Sequence, residues 1–142
     1  MKSHSTYVKV RYAETDQMGV VYHGNYAQYL EIARIDWLSS LGISYKKMEE
    51  EGVMLPVFEL NLKFKKSARF DDELRIETYL KAKPGVRIEF RYEIFNQDEE
   101  LLTEAETTLI FMDMDKMKPI KCPAHILEKL GYWSSSSLID TL

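Results

Sequence analysis

The chain of 142 residues has a single cysteine, Cys122. No internal disulfide can form, and no thiolate cluster is available to a metal. Its three histidines, His4, His23 and His125, lie far apart without ligand spacing, so neither a metal nor any other cofactor is expected. Positive charge is not in excess: 19 basic residues against 23 acidic ones leave a net charge of −4. That balance argues against nucleic acid as a partner, because such binding relies on basic surface to neutralise phosphates. The opening MKSHSTYVKV lacks the apolar stretch of a signal peptide. No run approaches the roughly 18 apolar residues of a membrane helix, so no membrane insertion is expected. There is no internal repeat and no dividing linker. The expectation is a soluble, cytoplasmic protein with one domain over 1–133 and a mobile, low-complexity tail over 134–142.

What is present suffices for a packed core, with 45% hydrophobic and 30% charged residues. TYVKVRYA alternates and reads as a strand, with Val8, Val10 and Tyr12 on one side. In NYAQYLEIARIDWLSSLG, residues Tyr26, Tyr29, Leu30, Ala33, Trp37 and Leu41 form one helical stripe, with Asn25 as N-cap and Gly42 as stop. Ile32, Ile35 and Leu38 lie on its other side, the pattern of a helix wrapped by further structure. SYKKMEEEG predicts a short exposed helix between Ser44 and Gly52. The period then becomes two, through Phe58, Leu60, Leu62 and Phe64, and then Leu74, Ile76, Thr78 and Leu80. It continues through Val86, Ile88, Phe90, Tyr92 and Ile94, and through Ala105, Thr107, Leu109 and Phe111. One-sided alternation of this kind indicates an antiparallel sheet, here of a first strand, a helix and about four meandering strands. The long helix is the natural filling for its apolar face.

The stretch between first strand and helix, DQMGVVYHGNY, holds a carboxylate, two glycines and a histidine just where a helix begins. A helix N-terminus offers unpaired N–H groups and a positive dipole end, suited to an oxygen that gains negative charge. With this stretch set in RYAETDQMGVVYHGNYAQYLEIAR, ahead of an antiparallel sheet, the sequence resembles the hot-dog fold thioesterases. The likeness is to the 4-hydroxybenzoyl-CoA thioesterase branch, including the short-chain acyl-CoA thioesterases associated with the Tol–Pal system. Asp16, Gly19, His23, Tyr26, Glu31 and Arg34 carry it, with SARFDDELRIET and MDKMKPIKCP further along.

The resemblance implies an α+β hot-dog fold, in which an antiparallel sheet of about five strands wraps one long central helix. It implies hydrolysis of an acyl-CoA thioester to free acid and coenzyme A, with Asp16 as nucleophile or general base. The backbone at His23 and Gly24 would polarise the thioester carbonyl, and the His23 side chain would assist. It also implies active sites at a homodimer interface, with dimers pairing into tetramers. Acyl carrier protein is the other candidate carrier. Tyr22, Asn25, Leu55, Val57 and Phe58 are candidate substrate-binding residues, and Lys83 and Arg87, beside the Pro84-Gly85 turn, are candidates for the phosphates of coenzyme A.

Other readings compete. An aspartate before Gln-Met-Gly is often only a turn former. Glu31 and Arg34, spaced i,i+3, read as a buried structural pair, and Cys122 gives no sign of a nucleophile. Hot-dog domains also serve as acyl-carrier hydratases or dehydratases, for which His23 and Glu31 would supply acid and base, and as non-catalytic acyl-binding modules.

Overall fold

The computed structural model describes residues 2–132, so the tail expected over 134–142 lies outside the described residues. Strands β1 (Ser3–Lys9), β3 (Val57–Phe64), β4 (Glu73–Leu80), β5 (Arg87–Phe95) and β6 (Leu101–Ile110) form one antiparallel sheet in the order β1-β4-β5-β6-β3. Helix α1 (Tyr26–Ser40) lies against it, followed by the short α2 (Tyr45–Glu50). Three two-residue strands, β2 (Val53–Met54), β7 (Met112–Asp113) and β8 (Lys118–Pro119), make a second small sheet. Helix α3 (Ala124–Lys129) follows.

The apolar periods explain the packing. Leu74, Ile76, Thr78 and Leu80 of β4 are buried, as are Ile88, Phe90, Tyr92 and Ile94 of β5. They meet the α1 stripe of Tyr26, Tyr29, Leu30, Ala33 and Trp37. The helix crosses the sheet obliquely. At one end the Tyr26 ring stands 5.0 Å from Phe64 on β3. At the other, Asp36 accepts the Thr6 hydroxyl of β1 at 2.7 Å, and Trp37 packs edge-on to Phe90. Ser44 caps α2 by accepting the Lys47 N–H at 3.2 Å.

Three expectations change. The first strand ends at Lys9: Val10 bonds the backbone of Asp71 and Asp72, and the chain then turns through a 3₁₀ segment, Tyr12–Glu14, that leaves Tyr12 exposed. The strands after the helix are not a simple meander, because β3 crosses to the far edge to pair with β6 and only β4-β5-β6 run consecutively. On this edge strand cover is partial: Phe58, Leu60 and Phe64 are 58%, 41% and 51% exposed. Glu31 and Arg34 do not form the expected pair among the described residues: Glu31 faces solvent, while Arg34 is buried beside the tyrosine-lined core.

Candidate active site

Between the first 3₁₀ turn and α1 the chain makes a small hairpin. Thr15 bridges Val21, the Asp16 N–H donates to Val20 O at 2.9 Å, and Gly19 N–H donates to Asp16 O at 3.0 Å. Gly19 supplies the left-handed φ of 77° that closes the tip. A second segment props it from outside: Val21 N–H donates to Ala68 O at 2.8 Å, and Val20 bridges Arg69.

Asp16 is exposed at this tip. Its Oδ1 accepts the Met18 N–H at 2.8 Å and the Val20 N–H at 3.4 Å, while no described group bonds Oδ2. The turn-forming role is therefore real, and it leaves one carboxylate oxygen free.

The hairpin leads straight into the head of the helix. His23–Asn25 form a 3₁₀ turn that runs into α1, with Asn25 N–H donating to Tyr22 O and Tyr26 N–H to His23 O. Among the described residues nothing accepts the N–H groups of His23 and Gly24. Both residues are exposed, and their two unclaimed donors lie at the positive end of a 15-residue helix. The Tyr22 ring stands 4.4 Å from that of His23 and covers Gly24 so closely that a Cβ there would lie 2.7 Å from Tyr22 Cε2. Gly24 thus allows the Tyr22 ring to lie close against it and serves no left-handed φ.

Asn25 is not the cap that its position suggests. Its backbone is already helical, at φ −80° and ψ −14°, so the side chain turns back and donates to Glu14 O at 2.8 Å. Cys122 is buried, which pushes its thiol up to about 12 and removes it as a nucleophile at neutral pH.

Tyr22, His23, Gly24, Asn25 and the Asp16 hairpin thus gather at one end of α1. The remaining candidates do not join them within the protomer. Phe64, beside Tyr26, pairs with Thr103, whereas Val57 pairs with Leu109 and Arg87 with Ile110. Seven residues of strand separate these levels, roughly 23 Å at the usual rise. Phe58 and Val57 are half exposed at that far end, with the Arg87 guanidinium 5.4 Å above the Phe58 ring. Leu55 packs partly against the core, and Lys83 is exposed in the loop before Arg87.

Sequence reasoning missed the carboxylate of Glu14, which is 93% buried by its 7% exposure and lies directly behind the hairpin. Its only local signal was the Arg11–Glu14 spacing of three, realised as a 3.0 Å ion pair. It also missed Tyr12 and Phe70, exposed rings packed edge-to-face at 5.6 Å near the hairpin.

Residues 10–130 match the Thioesterase-like superfamily. A putative acyl-CoA thioesterase, YneP, of Bacillus subtilis is 37% identical over 114 residues, 80% of this chain and 83% of that protein. Acyl-CoA thioester hydrolase YbgC of Escherichia coli O6:H1 is 35% identical over 120 residues, 84% of this chain and 90% of that protein. Among solved structures, a DHNA-CoA thioesterase from Staphylococcus aureus superposes with a TM-score of 0.82 at 44% identity, covering 85% of this chain and 81% of that one.

Proposed function

The chain belongs to the thioesterase-like superfamily, and from that premise we propose that it hydrolyses acyl-CoA thioesters by means of Asp16 and the head of α1. The observation that carries this reading is the pair of unclaimed N–H groups at His23 and Gly24, one hairpin away from an exposed carboxylate. A thioester carbonyl set against those donors gains stabilisation as its oxygen becomes negative. One such donor is typically worth about 10² to 10³ in rate.

The Asp16 carboxylate either attacks the carbonyl carbon, expelling the thiolate and leaving a mixed anhydride that water hydrolyses, or takes a proton from a water that attacks in its place. The departing thiolate belongs to a thiol of pKa about 8.5, taking cysteine as a proxy, so acid assistance is less pressing than for an alkoxide. His23 then serves as a positioning or proton-donating neighbour. Tyr22 and Asn25 border the same end of the helix and contact the acyl-pantetheine arm.

The site is completed by a second copy of the chain. Antiparallel pairing of β3 with the same strand of a partner would set the partner's Val57 end beside this protomer's Phe64 end. Leu55, Val57, Phe58, Lys83 and Arg87 of that second copy then reach the head of α1. The free strand edge and its half-exposed apolar side chains support this arrangement. Pairing of dimers into tetramers belongs to the same reading.

The hydratase reading draws no support from the geometry, because Glu31 shares an open face of α1 with Gln28, Ile32 and Ser39, away from the sheet. A panel of acyl-CoAs and one acyl carrier protein thioester, followed for thiol release and for enoyl hydration, separates the activities. Thiol release from coenzyme A esters without hydration is expected; hydration alone, or binding without turnover, would contradict the proposal.

Gly24→Ala gives a second check. The Tyr22 ring, exposed and free to swing, must leave its place over residue 24. Stability should change by less than about 1 kcal/mol. KM for acyl-CoA should rise severalfold, because the displaced ring intrudes where substrate approaches the helix.

A further inference from the structure

Glu14 makes contacts that no surface carboxylate would need. Its Oε1 accepts the Arg11 N–H at 2.8 Å and the Tyr29 hydroxyl at 2.9 Å, the latter from within α1. Its Oε2 accepts both Arg11 Nε, at 3.2 Å, and Nη2, at 3.0 Å. The main-chain oxygen of the same residue accepts Tyr22 N–H at 3.0 Å and Asn25 Nδ2 at 2.8 Å. One residue therefore ties together the chain leaving β1, both strands of the Asp16 hairpin, the turn ahead of the helix and the helix body.

Burial raises the carboxyl pKa, but the Arg11 backbone N–H, the Tyr29 hydroxyl and the Arg11 guanidinium outweigh it and hold Glu14 ionised below the usual glutamate range. Burial, and after it the contact with Glu14, push the Tyr29 hydroxyl well above its ordinary value, so it stays a donor.

We propose that Glu14 is a positioning residue, which fixes the Asp16 hairpin at a set distance and angle from the N–H groups heading α1. The inference rests on the thioesterase reading for its kinetic consequence, but its geometric content stands apart from it. Apart from Glu14, the described ties between hairpin and helix are indirect: the backbone bonds from Val21 to Ala68 and from Phe70 to Gly19 reach a neighbouring loop, and that loop meets α1 through the 3.4 Å bond from Ala68 N–H to the Tyr26 hydroxyl. Positioned groups are sensitive to small displacements, and a shift of about 1 Å can cost 10²-fold in rate.

The test compares Glu14→Ala, Glu14→Gln and Tyr29→Phe, each measured by acyl-CoA turnover and by amide hydrogen exchange. Glu14→Ala is expected to lower kcat about 10²-fold with KM changed less than about 3-fold. Glu14→Gln retains an Oε1 that accepts from Arg11 N–H and Tyr29, and should restore kcat to within about 5-fold of the parent. Exchange over residues 15–22 should accelerate in Glu14→Ala and much less in Glu14→Gln, while β4, β5 and β6 keep their protection. Should Glu14→Ala not fold, Tyr29→Phe removes the helix bond alone and should lower kcat about 10-fold, with the same local exchange pattern.

Parental kcat in the folded Glu14→Ala protein, parental kcat in Tyr29→Phe, or loss of protection spread evenly over the sheet, would overturn the inference. If the parent protein releases no thiol, the thioesterase reading fails by itself. The exchange arm then still decides: selective loosening of 15–22 upholds positioning, and unchanged exchange there rejects it.

Discussion

Asp16→Asn is expected to lower kcat for acyl-CoA hydrolysis by about 10² to 10⁴-fold, the usual worth of a positioned acid–base or nucleophilic carboxylate. The substitution isolates the charge. Asparagine keeps an Oδ1 able to accept the Met18 and Val20 N–H groups, so the hairpin turn survives. The residue is exposed and buries nothing, so stability should move by no more than about 0.5 kcal/mol. KM should change little, because the carboxylate is asked to act on the carbonyl and not to hold the rest of the substrate. Steady-state kinetics with a thermal melt on the same sample gives both numbers. A folded Asp16→Asn protein that turns over at the parental rate would reduce Asp16 to the turn former that its local sequence suggests.

Leu60→Asp should break the protein into monomers and take activity with it. Leu60 sits mid-strand on β3, half exposed between Phe58 and Phe64, and an edge so apolar is a template for another chain. Burying one such side chain is worth about 1.5 to 3 kcal/mol, and each pairing of two identical strands buries it twice. A carboxylate there loses that gain and must in addition be desolvated. The monomer itself should tolerate the change, because the single protomer leaves position 60 in contact with water. Sedimentation should show a dimer or tetramer for the parent and a monomer for Leu60→Asp. Turnover should fall about 10²-fold where the monomer dominates, since Lys83, Arg87 and Phe58 of a second copy would no longer reach the head of α1. A parent that sediments as a monomer and is fully active would contradict the shared site.

The parts of the fold that could be read along the chain are those decided by local period. Ile76, Thr78 and Leu80 alternate because one sheet face is pressed on the helix, and the α1 stripe answers it at the helical period. The short helix between Ser44 and Gly52 was legible because helix ends are marked locally, and in the structure Ser44 accepts the Lys47 N–H at its start. The crossing of β3 to pair with β6 was not legible, since alternation marks a face and carries no information about a neighbour. For the same reason Phe58 and Leu60 read as part of the apolar face, although in one protomer both stay half exposed.

At the site, the carboxylate and helix head were visible as residue types beside a helix start. Glu14 was not, because its partners Arg11, Tyr22, Asn25 and Tyr29 converge only once the 3₁₀ turn, the hairpin and the helix are folded together. Nor did sequence order show that Lys83 and Arg87 stand at the other end of the sheet from His23.

The most direct measurement is a crystal structure of the protein with a non-hydrolysable acyl-CoA whose thioester sulfur is replaced by methylene. The ketone oxygen should lie about 3 Å from the N–H of His23 or Gly24, with the Asp16 carboxylate within about 3.5 Å of the carbonyl carbon or of a water beside it. A ketone bound away from the head of α1, or one with Asp16 turned to another region, would contradict the account.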